Sequence, residues 1–417
     1  MALSTEVSLR PIPGPPALGR GAVSLMAVAA GLSAAGNYFA QPLLDVIERH
    51  LHIGVTTAGL VVTAAQAGYA LGLILLVPLA DVLDRRRLAV CLFSLTAFFL
   101  LVTASAPNGP LLIAGTLLTA LTSVGAQVVV PFAAALAAPE ERGRVVGVVM
   151  SGVLLGGLVG RLASGALSEL GGWRTAYWVN ALLMAVMAVL LHHRLPRLPR
   201  ARETNSMSYT GLLRSTLSLL RQEPLLRRRS AIGAFSMASY SVQLTALTFL
   251  LTRSPFHWNA AAIGLFGLLG VIGVIGMNIA ARLSDRGRVQ AVSGTAAALL
   301  TVSWLPLLAG ESSLPWLAAG VISLNIAQQA ALNSCQNVIY ALRPEARNRI
   351  NSAFMTLFFL GGAIGAALAS VVWSAAGWSG VCLLGGALAA GTLILWALER
   401  VRTAGAVRAG AGGAVTP

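Results

Sequence analysis

Arg161 stands inside the apolar stretch 144–169, past its midpoint. A guanidinium stays charged at any physiological pH and presents five N–H donors in a rigid fork. In a hydrocarbon setting such a charge costs at least about 2.5–3.5 kcal/mol, so it demands a partner or a task. Two arrangements answer that demand. Arg161 holds an anionic group or couples to a carboxylate inside a cavity, or it forms a structural ion pair with Asp45 or Glu169 near the ends of their stretches. Amides are the second set: Asn37, Gln41, Gln66, Gln127, Gln243, Asn325, Gln328, Gln329, Asn333, Gln336 and Asn337 all fall in apolar stretches. Amides suit a neutral polar ligand, or the interhelical hydrogen bonds that hold helices together in lipid. Asn333 and Asn337 are one helical turn apart and share a face.

Nothing here suits bond-making chemistry. The chain has 29 Lys+Arg positions, all arginine, so a phosphate-binding loop with a lysine is excluded and with it an ATP-driven pump. Cys91, Cys335 and Cys382 lie in apolar stretches without metal-ligand spacing and read as small buried hydrophobes. No cofactor, no metal and no enzyme activity are expected.

The elements that must position Arg161 and the amides follow from composition. The chain is 417 residues, 56% hydrophobic and 10% charged, against about 25% charged in a soluble domain. Its apolar residues form twelve blocks at about 21–47, 55–80, 88–106, 110–137, 144–169, 174–192, 229–252, 260–282, 289–309, 314–341, 350–375 and 379–398. Each is near the roughly 20 residues that cross a bilayer, and far longer than the strands of a membrane barrel. The expectation is an all-α membrane protein of twelve transmembrane helices.

The net charge of +15 does not mark a nucleic-acid binder, because the arginines sit in short loops. With the N-terminus inside, the inner loops hold Arg85 to Arg87, Arg142, Arg144, a cluster from Arg194 to Arg229, Arg282, Arg286, Arg288, Arg343, Arg347, Arg349, Arg400 and Arg402. The outer loops hold Arg49, Arg174 and Arg253. That bias places both termini in the cytoplasm. The residues before 21 do not read as a secretory signal. In the linker 193–228, Leu212, Leu213, Leu217 and Leu220 form an amphipathic stretch expected on the inner membrane surface.

The two halves repeat. Pro139-Glu140-Glu141-Arg142-Gly143-Arg144 returns 205 residues later as Pro344-Glu345-Ala346-Arg347-Asn348-Arg349. At the same offset Gly156 matches Gly361, Gly160 matches Gly365, Gly172-Trp173 match Gly377-Trp378, and Gly59 matches Gly264. Arg161 matches Ala366, so symmetry does not require it. Two six-helix repeats imply a cytoplasmic tail 1–20, bundles 21–192 and 229–399, the linker 193–228 and a tail 400–417.

The loop Pro78-Leu79-Ala80-Asp81-Val82-Leu83-Asp84-Arg85-Arg86-Arg87 resembles the signature loop of the major facilitator superfamily, with its acid at Asp81 and its basic pair at Arg86-Arg87. It departs from that pattern at Val77, Val82 and Asp84. A degenerate copy carries Asp285 and Arg286. The resemblance implies the major facilitator fold and a gate at these residues. Asp81 is expected against the positive start of the eleventh helix and Asp285 against that of the fifth, each contact worth about 0.3–1 kcal/mol when exposed. The alternative is ordinary loop charges. Gly152, Gly156 and Gly160 resemble the glycine-rich fifth helix of the family's exporters, without the proline of its drug antiporters; they serve close packing, or a hinge.

Asn37-Tyr38-Phe39-Ala40-Gln41-Pro42-Leu43-Leu44-Asp45 is similar to the first-helix signature of a bacterial branch of drug or sugar efflux permeases, and Gly172-Trp173-Arg174 and Phe359-Leu360-Gly361-Gly362 extend the likeness. Helices 1, 4, 7 and 10 line the cavity in this family. The resemblance therefore implies substrate contacts at Asn37, Tyr38, Gln41, Gln127, Gln243, Asn333, Gln336 and Asn337, with Gln66 and Arg161 beside them. Asp45 and Arg161 are the candidates for proton coupling, although no acid lies deep in helices 2, 4, 7 or 10. The expected activity is export of a small organic molecule by proton antiport, with uptake, facilitated diffusion or a non-transporting sensor as alternatives. The expected partners are a small-molecule substrate, membrane lipid and protons, with no nucleic acid; the family implies a monomer.

Overall fold

A computed structural model describes residues 19–138, 140–196, 208–343 and 346–412, the last ten of these as backbone only. Pro139, Pro344 and Glu345 of the repeated motif, most of the N-terminal tail and part of the linker lie outside the described residues.

Backbone groups in hydrocarbon must be satisfied within their own segment, and these stretches do so as helices. Nine helices among the described residues are long and apolar enough to cross a membrane. One of them, Arg347–Arg402, is two spans that meet at Gly377, where φ is 62° and ψ −155°, a conformation that suits glycine. Two further spans escape a hydropathy criterion for physical reasons. Leu314–Tyr340 carries the amides from Asn325 to Asn337, and the first span is interrupted: Arg20–Ala35 ends in a turn and resumes as the 3-10 segment Gln41–Leu43 and the helix Leu44–Leu51. The twelve expected crossings are thus present.

In order, the spans are this broken first segment, Val55–Val82, Arg85–Ala104, Gly109–Leu136, Arg142–Gly171 and Trp173–Arg194, then Pro224–Thr252, Ala260–Asp285, Val289–Ala309, Leu314–Tyr340 and the two parts of Arg347–Gly412. The first span packs on the fifth, the second on the fourth and the third on the sixth. In the later set the seventh packs on the eleventh, the eighth on the tenth and the ninth on the tenth and twelfth. The pairing is repeated down to single glycines. A Cβ on Gly361 would fall 2.7 Å from the Cα of Ala234 in the seventh span, as one on Gly156 would crowd Gly31 in the first.

The two sets meet along two seams of unequal length. The second and eleventh spans touch from Gly59 and Ser370 at the arginine-poor end to Leu73 and Ser352 at the other, where the Ser352 hydroxyl donates to the Leu73 carbonyl at 2.7 Å. The fifth and eighth meet through Ala260–Phe266 and Gly267–Val271, while Ile272–Asp285 turns to the tenth span.

The linker departs from expectation. Its helix, Tyr209–Gln222, docks on the bundle: Leu212, Thr216 and Leu219 are buried, and the Tyr209 hydroxyl donates to the Leu75 carbonyl at 2.7 Å. Leu217 alone of the four predicted leucines is strongly exposed, at 51%. The apolar stripe is therefore divided between protein and surroundings.

Candidate functional site

The first span breaks where its sequence stops being helical by preference. Gly36 and Asn37 follow Ala35, and Pro42 has no N–H to continue the ladder. The break turns Tyr38 and Gln41 toward the fifth span. Arg161 is 9% exposed there; its Nε donates to the Gln41 Oε1 at 3.0 Å, and its guanidinium lies 4.4 Å from the Tyr38 ring centroid. Across from it the eighth span tightens into the 3-10 segment Gly267–Val271. A Cβ on Gly267 would sit 3.4 Å from the Arg161 Cδ, and one on Gly270 3.2 Å from the Asn325 Oδ1 and 3.8 Å from Nη1. Two interrupted helices thus flank one buried arginine. Irregular backbone at membrane depth occurs where protein buries it or where it lines a cavity.

A cleft of about 440 Å³, its mouth included, opens at this point. The early spans contribute Gln41, Pro42 and Arg161; the later ones contribute Tyr240, Gln243, Thr248 and Asn325 among others. The Thr248 hydroxyl donates to the Gln41 carbonyl at 2.8 Å and ties the two sides. Asn325 is satisfied, accepting from the Tyr240 hydroxyl at 3.1 Å and donating to the Val321 carbonyl at 2.8 Å. Gln243 is fully buried, yet neither its Oε1 nor its Nε2 has a hydrogen-bond partner among the described residues, and the Gln41 Nε2 also lacks one. Buried polar atoms are nearly always bonded, so these three atoms are free to bond water or a ligand in the cleft.

Other predicted residues go elsewhere. Asp45 does not meet Arg161; it pairs with Arg49 in the helix Leu44–Leu51. Glu169 is exposed and makes no ion pair among the described residues, so the structural pair expected as an alternative for Arg161 is absent there. Beyond the first span's apolar run, Glu48 lies one turn from Asp45. Asn37 keeps a buried Oδ1 without a partner. Gln66 is 5% exposed and lines neither this cleft nor the second one described below. Asn337 donates to Asn333 at 3.0 Å, and Gln336 faces the Met355 sulfur at 3.9 Å; these three are not cleft residues either. The Asn333–Asn337 bond lies within the tenth span, and Gln336 alone of the three reaches another, the eleventh.

At the arginine-rich end a second cleft, of about 640 Å³, is lined by Asp81, Arg85, Gln127, Thr216, Arg349 and Ser352, among others. Asp81 therefore shares a cleft with the start of the eleventh span, and it lies 3.8 Å from Arg85. Gln127 donates to the Tyr69 hydroxyl at 3.3 Å. Arg86 donates to the His192 carbonyl, capping the end of the sixth span. Asp84, where the family pattern has glycine, accepts from the Arg87 N–H at 2.8 Å and caps the third span. Asp285 and Arg286 are exposed, and among the described residues the Asp285 side chain makes no ion pair. The expected contact of Asp285 with the fifth span is not formed, because Ile272–Asp285 leans on the tenth. Gly156 and Gly160 lie against Gly31 and Ala35 of the first span, where they permit close packing.

The sequence model of the Major Facilitator Superfamily matches residues 26–324 and again 279–415. The chain belongs to the Major Facilitator Superfamily. It is a multi-pass membrane transporter by family, not an enzyme. The putative uncharacterized transporter YgaY of Escherichia coli K12 is 44% identical over 374 residues, covering 90% of this chain and 94% of that one. A chloramphenicol resistance protein of Streptomyces lividans is 29% identical over 67% of this chain and 70% of its own. A solved bacterial homologue of the human lysosomal transporter Spinster superposes with a TM-score of 0.76 at 14% identity, over 91% of this chain and 96% of that one, and shares the fold.

In this transporter, two groups of residues were not legible as a site. Tyr240 and Thr248 gave no signal, being ordinary residues of an apolar span. Arg229 read as one of the inner-loop arginines and Glu399 gave no signal, yet they are 0% and 2% exposed and form an ion pair, with Arg229 also donating to the Ser293 hydroxyl at 2.8 Å. They brace the seventh, ninth and twelfth spans away from the cleft.

Proposed function

We propose that this transporter exports a small organic molecule across the bacterial inner membrane by alternating access, and that the Arg161 cleft is its binding site. The observation that carries the reading is the position of the cleft: it lies between the early and late spans, with unpartnered buried amides on both sides. Residues 21–192 and 229–399 act as the two rocking bodies, and the mouth at Asp81, Arg86 and Arg87 faces the cytoplasm, as the arginine bias requires. Support for export comes from the glycine-rich fifth span and from the likeness to a chloramphenicol resistance protein.

Proton antiport is the coupling proposed, with Asp45 and its neighbour Glu48 as the candidate carboxyls. A second reading, an uncoupled facilitator, is favoured by one observation: among the described residues no carboxylate lines the cleft. Inside-out vesicles with an acid lumen separate the two. Under antiport, adding a transported compound releases lumenal protons, and Asp45→Asn abolishes the release. Compound entry without proton movement establishes the facilitator. No movement of any compound under any gradient overturns transport itself.

A further inference from the structure

We infer that the Arg161 cleft is built for an organic monoanion, a carboxylate carried on an apolar body; this rests on the reading of the cleft as the transport site. The argument starts from the guanidinium. Its face is covered by the Tyr38 ring at 4.4 Å, and its Nε is committed to Gln41. Neither Nη nitrogen makes a hydrogen bond or ion pair among the described residues. One edge of the fork is therefore left, the edge between Nη1 and Nη2, and that edge matches the two oxygens of a carboxylate.

The surrounding orphans have the same sense. Among the described residues the Gln41 Nε2 and the Gln243 Nε2 are donors without acceptors, and the Gln243 Oε1 is the one orphan acceptor of the cleft. Asn325, whose amide is satisfied, needs nothing from a ligand. A set rich in spare donors recognises an acceptor-rich group. Among the described residues Arg161 is the one charged residue of the lining, so a single negative charge balances it and a dianion would leave excess charge against a mostly apolar wall. The rest of the wall is apolar: Leu244, Leu247, Ile263, Phe266 and Val321. Glycines at 267 and 270 keep the space beside the fork open.

The test uses three probes of one shape and different charge: 4-phenylbutyrate, 4-phenylbutyramide and 4-phenylbutylamine. Binding to the purified full chain is read from the shift of its thermal midpoint, and flux from proteoliposomes. The acid is expected to bind about tenfold or more tighter than the amide, the amine not at all. In Arg161→Gln the acid and amide should bind within about twofold of each other. Gln243→Leu is a second variant that tests the same site should Arg161→Gln not fold. It should weaken acid binding while the unliganded midpoint holds or rises, because an apolar isostere removes an unsatisfied buried amide. Preference for amide or amine, binding of none of the three at millimolar concentration, an acid preference that survives Arg161→Gln, or unchanged acid binding in Gln243→Leu overturns the inference. Acid binding without acid flux leaves the inference standing and removes the transport reading. Flux of the amine or amide but not the acid does the reverse.

Discussion

A Cβ on Gly156 would fall 2.6 Å from the Cα of Gly31, so the first and fifth spans touch backbone to backbone. Backbone cannot rotate out of the way as a side chain can. Gly156→Ala should therefore cost about 1–3 kcal/mol, as overpacking does, and lower the thermal midpoint in detergent. Gly361→Ala should do the same through Ala234. Gly143→Ala is the control: nothing lies within 4 Å of its Cβ position, and removing a helical glycine should hold or raise the midpoint. Equal effects at the two positions would refute the packing account.

This pairing shows what the sequence carries. The 205-residue offset between Gly156 and Gly361 is a linear pattern, and the contact it encodes recurs in both sets of spans. Arg161 was also legible, because one charge in an apolar run is conspicuous wherever it sits. Its surroundings were not. That Gln243 is orphaned while Asn325 is satisfied depends on Tyr240 reaching across from another span, and no spacing encodes that. Asp45 and Asp285 looked like Asp81 in the sequence, as carboxyls near span ends; which neighbour each meets is set by the lean of the helices.

Arg229 and Glu399 lie 170 residues apart and are the buried ion pair among the described residues. Breaking such a pair leaves one charge without compensation. Arg229→Met alone should cost about 3–5 kcal/mol, and the double variant Arg229→Met with Glu399→Leu should recover most of it. A double-mutant cycle on thermal unfolding measures the coupling. A cycle that closes at zero would mean the pair is decorative.

At the arginine-rich mouth, the Ser352 hydroxyl holds the Leu73 carbonyl and the Tyr209 hydroxyl holds the Leu75 carbonyl. Ser352 belongs to the eleventh span and Leu73 to the second, so separation of the two sets there must break this bond. Ser352→Ala and Tyr209→Phe each remove about 0.5–1.5 kcal/mol from this closed arrangement. The readout is a cysteine at Asn351, which lines the second cleft, in a chain whose Cys91, Cys335 and Cys382 are replaced. Labelling by a membrane-impermeant maleimide should speed up in both variants, and more in the double. Unchanged rates would mean these bonds do not limit opening.

Arg161→Lys separates charge from geometry at the cleft. Lysine keeps one positive charge but has no Nε–H to give Gln41 and no planar face for Tyr38. The Gln41 Oε1 then joins its Nε2 as an orphan, and the cation is no longer held in one orientation. The unliganded protein should lose about 1–2 kcal/mol of stability, from the hydrogen bond and the ring contact together. Substrate affinity should fall by about tenfold, since a point charge replaces a two-pronged one. Tyr38→Leu isolates the ring contact. It leaves Arg161 and Gln41 in place and should weaken binding less than Arg161→Lys does. Should Arg161→Lys bind substrate as the parent does, charge alone would be the requirement and the edge-on geometry of the fork would be incidental.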